Sequence, residues 1–199
     1  MSDTTWNVIT DSLSLLRNAA ALISDANANA PTPCSAWTVA QVFQHAVGDQ
    51  LAWAAAIGVG TGPAENPFTP SGLLEGSAAE LIEPALATAR TAWATVRADD
   101  DAVPTPLPQG PLPAATAAAA CALDAAVHAW DIAVALGQPG GLPDGLAAQL
   151  LPAARSIVEP LRQFGAYAPA WPARPEDDHT AELLRYLGRD PQWVSTKAG

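Results

Sequence analysis

The stretch Asp124-Ala125-Ala126-Val127-His128-Ala129-Trp130-Asp131 decides how this chain is read. It lies in an alanine-rich segment that carries no other charge from Leu112 to Leu136. At about 100° per residue, Asp124, His128 and Asp131 fall within roughly 60° of one another, while Leu123, Val127, Trp130 and Val134 form a separate apolar stripe. That pattern is a long helix. An ordinary solvent face would be dotted with Lys, Glu and Gln. Here the only acidic or basic side chains are two carboxylates and an imidazole, which can grip a metal ion or exchange a proton.

Working outward, the helical pattern recurs. Trp6, Ile9, Leu13, Leu16, Ala20 and Ile23 alternate at three and four, which predicts an amphipathic helix from Thr5 to Ser24. Thr38-Val39-Ala40-Gln41 reads as a capping box that opens a second helix reaching about Ile57, with His45 and Asp49 at the edge of its stripe. Residues 58–76 are rich in Gly and Pro and read as a loop. A third helix runs to about Ala98 through Ile82, Leu86, Ala89, Trp93 and Val96. Its start is ambiguous, because the capping box Ser77-Ala78-Ala79-Glu80 places Pro84 inside it. The fourth runs from Ala114 to Leu136 and stops at Gly137. A fifth is expected from Asp144 to about Arg162, and a short piece near Thr180 to Leu187. No segment reads as a strand. The expectation is all-α: a four-helix bundle core over 1–137 with a helical C-terminal extension, 138–199, packed on the same domain.

Of the 199 residues, 49% are apolar, enough for a sizeable core, but much of that is Ala, which favours close helix packing. With nine Lys and Arg and a net charge of −11, the chain is a poor candidate for nucleic acid or an anionic membrane surface. Cys34 and Cys121 form no framework, and the N-terminus, Met1-Ser2-Asp3-Thr4-Thr5, has no basic or secretory character, so a cytoplasmic location is expected. No uncharged run reaches the length of about 20 apolar residues that a membrane span needs.

In an up-and-down bundle, helices two and four can bring His45 beside His128. His45, Asp124 and His128 would then offer two imidazole nitrogens and a carboxylate, a set typical of catalytic metal sites that keep open positions. Asp131 could orient an imidazole through its other nitrogen. The plain alternatives are an ordinary Asp/His surface pair at 124 and 128, an edge pair between His45 and Asp49, and Cys121, Trp37, Trp53 and Trp130 as packing residues. As substrate contacts we single out Trp37, Trp130 and Cys121. His179 reads as a solvated residue at a helix start. No phosphate loop, dinucleotide fingerprint or cysteine-rich zinc signature occurs.

Pro33-Cys34-Ser35-Ala36-Trp37-Thr38-Val39 followed by His45 resembles the helix-two signature of the DinB/YfiT-like superfamily. The segment from Asp124 to Ala133, ending in Gly137-Gln138-Pro139, is similar to the fourth-helix motif of the branch that includes the maleylpyruvate isomerase N-terminal domain. Phe164-Gly165 and the run from Leu184 to Trp193 resemble its tail. The resemblance implies a four-helix bundle with a divalent metal near one end, held by His45, Asp124 and His128. Members often carry Glu at the position of Asp124. It further implies thiol-dependent S-transfer or isomerisation with mycothiol as co-substrate. The isomerase itself has a further C-terminal domain, which the short tail here does not match, so maleylpyruvate is not expected as substrate.

The first reading is therefore a metal-dependent thiol transferase or isomerase acting on a small-molecule electrophile. Zinc is the first choice, although His and carboxylate suit Ni and Fe(II) alike. A second is a metal-free enzyme of specialised biosynthesis, performing a cyclisation or rearrangement with His128 and Asp131 or Asp124 as acid and base. A third is a non-catalytic small-molecule-binding or stress protein. The superfamily often dimerises through helix faces, which makes a homodimer an option.

Overall fold

The computed structural model describes residues 6–195. It contains six helices: α1 (Asn7–Ala20), α2 (Val39–Ile57), α3 (Ala78–Trp93), α4 (Ala114–Ala135), α5 (Asp144–Gln163) and α6 (His179–Tyr186). Among the described residues, pairing between extended segments is confined to two isolated bridges, Pro31 with Thr38 and Val103 with Leu112. The fold is all-α.

The local signals act as their chemistry requires. Gln41 N–H donates to Thr38 Oγ1 at 3.4 Å, and Gln41 Oε1 accepts from Thr38 N–H at 3.0 Å, so the capping box closes and α2 starts at Val39. At Ser77 the box does not close. The hydroxyl donates to Glu80 Oε2 at 2.7 Å instead of accepting from the backbone, yet α3 begins at Ala78 and runs through Pro84. Two helices end earlier than periodicity suggests. α1 stops at Ala20, where Leu22 and Ile23 turn back onto Ala19 and Ala20 and Ser24 N–H is taken by Asn27 Oδ1. Its expected start at Thr5 lies outside the described residues, as does the whole N-terminal segment 1–5 read for targeting. α3 stops at Trp93, and Asp100 Oδ2 accepts from Arg97 N–H at 2.9 Å, which holds the turn that follows.

The helices α1 to α4 form the bundle, but its connectivity is not simple up-and-down. α1 packs on α4 and α3, and α2 on α3 and α4, so α1 and α2 lie diagonally, as do α3 and α4. The long connectors 21–38 and 94–113 make such crossings affordable. This arrangement makes α2 and α4 direct neighbours. α5 packs on α4, and α6 on α5.

Nearly the whole surface of α4 is buried, including Ala117, Ala118, Ala122, Ala125 and Ala126. Ala-rich faces let neighbouring backbones approach closely, so α4 becomes the central helix. By length and composition it could cross a membrane, but 89% of its most apolar window is covered by the rest of the chain, as expected of a core helix. One apolar cluster runs from Ile9 to Leu187 and includes Leu146, Leu150 and Ile157 of α5 and Leu183 and Leu184 of α6. The extension thus shares the bundle's core.

Candidate metal centre

His45 of α2 and Asp124 and His128 of α4 meet inside the bundle. His45 Nε2 lies 3.3 Å from Asp124 Oδ1, and His128 Nε2 lies 3.3 Å from the same oxygen. One ligand atom from each residue falls within 4.8 Å of the others. The histidines are 6% and 7% exposed, so this is an interior cluster. The Asp124 side chain, although short, reaches both imidazoles.

The outer nitrogens fix the ring orientations. His45 Nδ1 is 2.9 Å from the Pro67 carbonyl, which can only accept, so Nδ1 carries the proton. His128 Nδ1 likewise donates to Asp131 Oδ2 at 2.9 Å. Both rings therefore turn Nε2 toward one point, the arrangement found where a cation is ligated and the far nitrogen is anchored by an oxygen. Asp124 Oδ2 is buried without a hydrogen-bond partner. A buried carboxylate oxygen left unpaired is costly, and a cation between Asp124 and the two Nε2 atoms would satisfy it. The donor set therefore fits a divalent ion.

Backbone detail places the Pro67 carbonyl. Gly48 sits one turn after His45 on α2, and a Cβ there would come within 2.8 Å of Pro67 Cβ. Only glycine lets the loop close that tightly onto the helix. On the other side, Asp131 is fully buried and gripped by Arg189, with Nε donating to Oδ1 at 2.9 Å and Nη2 to Oδ2 at 2.7 Å. Gly188, with φ +79°, makes the turn that aims Arg189 inward and packs against Ala168. The turn that follows α6 thus reaches His128 through Asp131.

The charges follow from these contacts. Burial alone would lower the affinity of His128 for its proton. The Asp124 charge and hydrogen bonds to Asp124 and Asp131 outweigh it and raise its pKa to about 9. Burial opposes ionisation of Asp124, but the two imidazoles hold it below the usual carboxylate range. For Asp131, burial is likewise outweighed by Arg189 and His128, and its pKa is lowered.

The cluster opens on a cavity of about 730 Å³. Trp37 lines it as expected, its ring centroid 4.6 Å from that of His45 and 6.5 Å from that of His128. Three expectations need correction. Trp130 is 4% exposed and does not line this cavity; its indole lies where a Cβ on Gly140 would fall, 2.1 Å away, so it packs into the core. Cys121 is fully buried, its thiol donating to Gln50 Oε1 at 3.3 Å, and burial pushes its pKa well up, so it is a packing residue. Asp131 does not line the cavity, which does not suit the acid/base role given to it in the metal-free reading; it holds the His128 ring through Nδ1, the orienting role also expected of it. The edge pair between His45 and Asp49 does not form, since both His45 nitrogens face other partners. Asp49 instead lines the cavity, where burial and the Asp124 charge push its carboxyl well above the usual range. His179 is exposed and pairs with Asp144, away from this site.

Sequence reading missed Arg189, Tyr167 and Phe68. The signal for Arg189 was a bookkeeping one: a buried Asp131 needs a cation, and few are present. The cavity wall draws on four connectors, which periodicity leaves blank.

The profile described as "Mycothiol maleylpyruvate isomerase N-terminal domain" matches residues 10–133. Two uncharacterized proteins of Mycobacterium tuberculosis, from strains CDC 1551 / Oshkosh and ATCC 25618 / H37Rv, are each 33% identical over 183 residues, covering 85% of this chain and 91% of the relative. No solved structure matches the chain.

Proposed function

The chain belongs to the mycothiol maleylpyruvate isomerase N-terminal domain family, and from that premise we propose a metal-dependent enzyme that joins a low-molecular-weight thiol of the mycothiol type to a small electrophile, by S-transfer or by thiol-assisted isomerisation. The observation that carries this reading is the convergence of two Nδ1-anchored imidazoles on Asp124, whose second oxygen has no partner. His45, Asp124 and His128 would hold a divalent ion, zinc first and nickel or Fe(II) next. A bound ion of this kind makes a thiol a thiolate near neutral pH.

The chain's own residues do the rest. The Pro67 carbonyl and Asp131 hold the two imidazoles in position. Arg189 keeps Asp131 ionised and in place. Trp37 covers the His45 ring and narrows access for water. A thiolate that adds across an activated double bond forms one C–S bond while the π pair moves to the neighbouring carbon. Protonation of the adduct completes S-transfer, and loss of the same thiolate after bond rotation completes isomerisation. At a chloromethyl carbon the C–S bond forms as chloride leaves with the C–Cl pair, and S-transfer is then complete. None of these routes needs an oxidant or reductant.

The test is turnover of the electrophilic probe monochlorobimane with mycothiol as thiol, using zinc-loaded protein. Thiol-dependent adduct formation that is lost in Asp124→Ala, with helical circular dichroism unchanged, is expected. Equal rates for both proteins would overturn the reading. The His128–Asp131 hydrogen bond favours one alternative, acid/base chemistry by His128 without a metal. That alternative predicts activity indifferent to chelator.

A further inference from the structure

We infer that the body of the substrate is an uncharged, ring-bearing apolar framework bound in the cavity next to the metal centre, rather than a small dicarboxylate. The inference deepens the reading above and rests on it only for the position of the reacting end. Three observations carry it.

The first is what covers the walls. Trp53 closes the cavity inside the bundle, Leu107 comes from the connector 94–113, and Ile157 and Leu161 come from α5. At about 730 Å³ the space suits a ligand of two or three fused or linked rings. Aromatic rings flank the ligand position itself, with Trp37 on one side of His45 and Phe68 on another, its centroid 5.3 Å away.

The second is the rim. Phe68 is 60% exposed and Phe164 is 77% exposed, and both line this cavity from segments far apart in sequence. A scattered exposed aromatic means little, but two from different loops at one opening are what an apolar guest would cover.

The third is charge. Among the described residues Arg189 is the only Lys or Arg that lines the cavity, and its donors are taken: Nε and Nη2 donate to Asp131, and Nη1 faces the Leu187 carbonyl at 3.4 Å. A substrate with two carboxylates would set one of them against a wall that offers no free Lys or Arg among the described residues and that carries Asp49, so its desolvation would go uncompensated by an opposite charge. Cys34 and Tyr167 add neutral polar contacts, since burial pushes the thiol up to about 11 and raises the phenol further. They can orient a hydroxyl or carbonyl on the guest without charge.

The experiment is a fluorescence titration of the full chain with N-phenyl-1-naphthylamine, an uncharged two-ring probe that brightens in apolar surroundings. Saturable binding at one site per chain is expected. Leu161→Glu should weaken it by at least about tenfold, because a carboxylate then sits in the wall. Phe164→Ala, at a solvent-exposed position that cannot compromise the core, should weaken it by about threefold. Maleate in large excess should not displace the probe from chelator-treated wild-type protein. No saturable binding, probe affinity unchanged in both wall variants, or displacement by maleate would overturn the inference. Its failure is separable from that of the proposed function. Metal retained in His45→Ala contradicts the ligand assignment and leaves the cavity result standing, and the reverse pattern contradicts only the inference.

Discussion

At the scale of single residues, the molecule invests in two histidine nitrogens that never touch a ligand. His128 Nδ1 is held by Asp131, and Asp131 by Arg189, so the chain of contacts has three members and no free charge. Breaking it at Arg189 strands a buried carboxylate. Arg189→Gln is expected to cost about 3–5 kcal/mol in urea unfolding and to weaken zinc binding roughly 10- to 100-fold. A variant within error of wild type in both measurements would show that Asp131 finds another partner. The raised His128 pKa gives two opposite pH slopes. Between the ordinary 6.5 and about 9, the folded state of chelator-treated protein holds a proton that the unfolded chain releases, so stability is fully present below 6.5 and declines as pH rises toward 9. Zinc must displace that same proton, so its apparent affinity should rise up to about tenfold per pH unit over this range and then level off. Calorimetry in buffers of different ionisation enthalpy would detect the proton released; pH-independent affinity would contradict the assignment of His128 as ligand. His128 and Asp124 were legible from spacing alone. Arg189 was not, because no local rule links a residue after α6 to one in α4.

At the scale of elements, helix existence was written in the sequence and helix ends only partly. Thr38 and Gln41 announce the start of α2 because both halves of the cap lie within four residues. The ends of α1 and α3 depend on Asn27 and Asp100, side chains outside the helices that capture the backbone, and apolar periodicity carries no trace of them. Cap removal should be measurable: Thr38→Ala is expected to destabilise the protein by about 0.5–2 kcal/mol. Gly48 makes a sharper case. In an exposed helix, Gly→Ala would gain about 1 kcal/mol. Here the new Cβ falls 2.8 Å from Pro67, and overpacking costs about 1–3 kcal/mol. Gly48→Ala should therefore show no gain in thermal stability and should also bind zinc less tightly, since the loop that carries the Pro67 carbonyl must retreat from His45. A stabilised variant with unchanged zinc affinity would show that the close approach has no role in the site.

At the scale of the whole molecule, the topology does what the spacing of residues could not. The diagonal connections make α2 and α4 neighbours, and the long connectors line one cavity together with His45, Asp124 and His128. The all-α class was readable in advance from helical periodicity, whereas the meeting of His45 with Asp124 and His128 was expected from an up-and-down bundle and from the family resemblance, and it comes about through the diagonal connections instead. The misplacement of Trp130 and Cys121 has a common cause. A helix buried nearly all round has no substrate face to assign, and only the packing of α5 and the segment after Trp130 decides which side meets the cavity.

The central claim is that His45, Asp124 and His128 hold a divalent ion. The most direct test is metal content by inductively coupled plasma mass spectrometry on untagged protein never exposed to chelator, wild type beside His45→Ala. The account predicts close to one divalent ion per chain in the wild type and less than about a tenth of that in the variant. Equal metal in both proteins, or none in the wild type even after incubation with Zn, Ni and Fe(II), would contradict it.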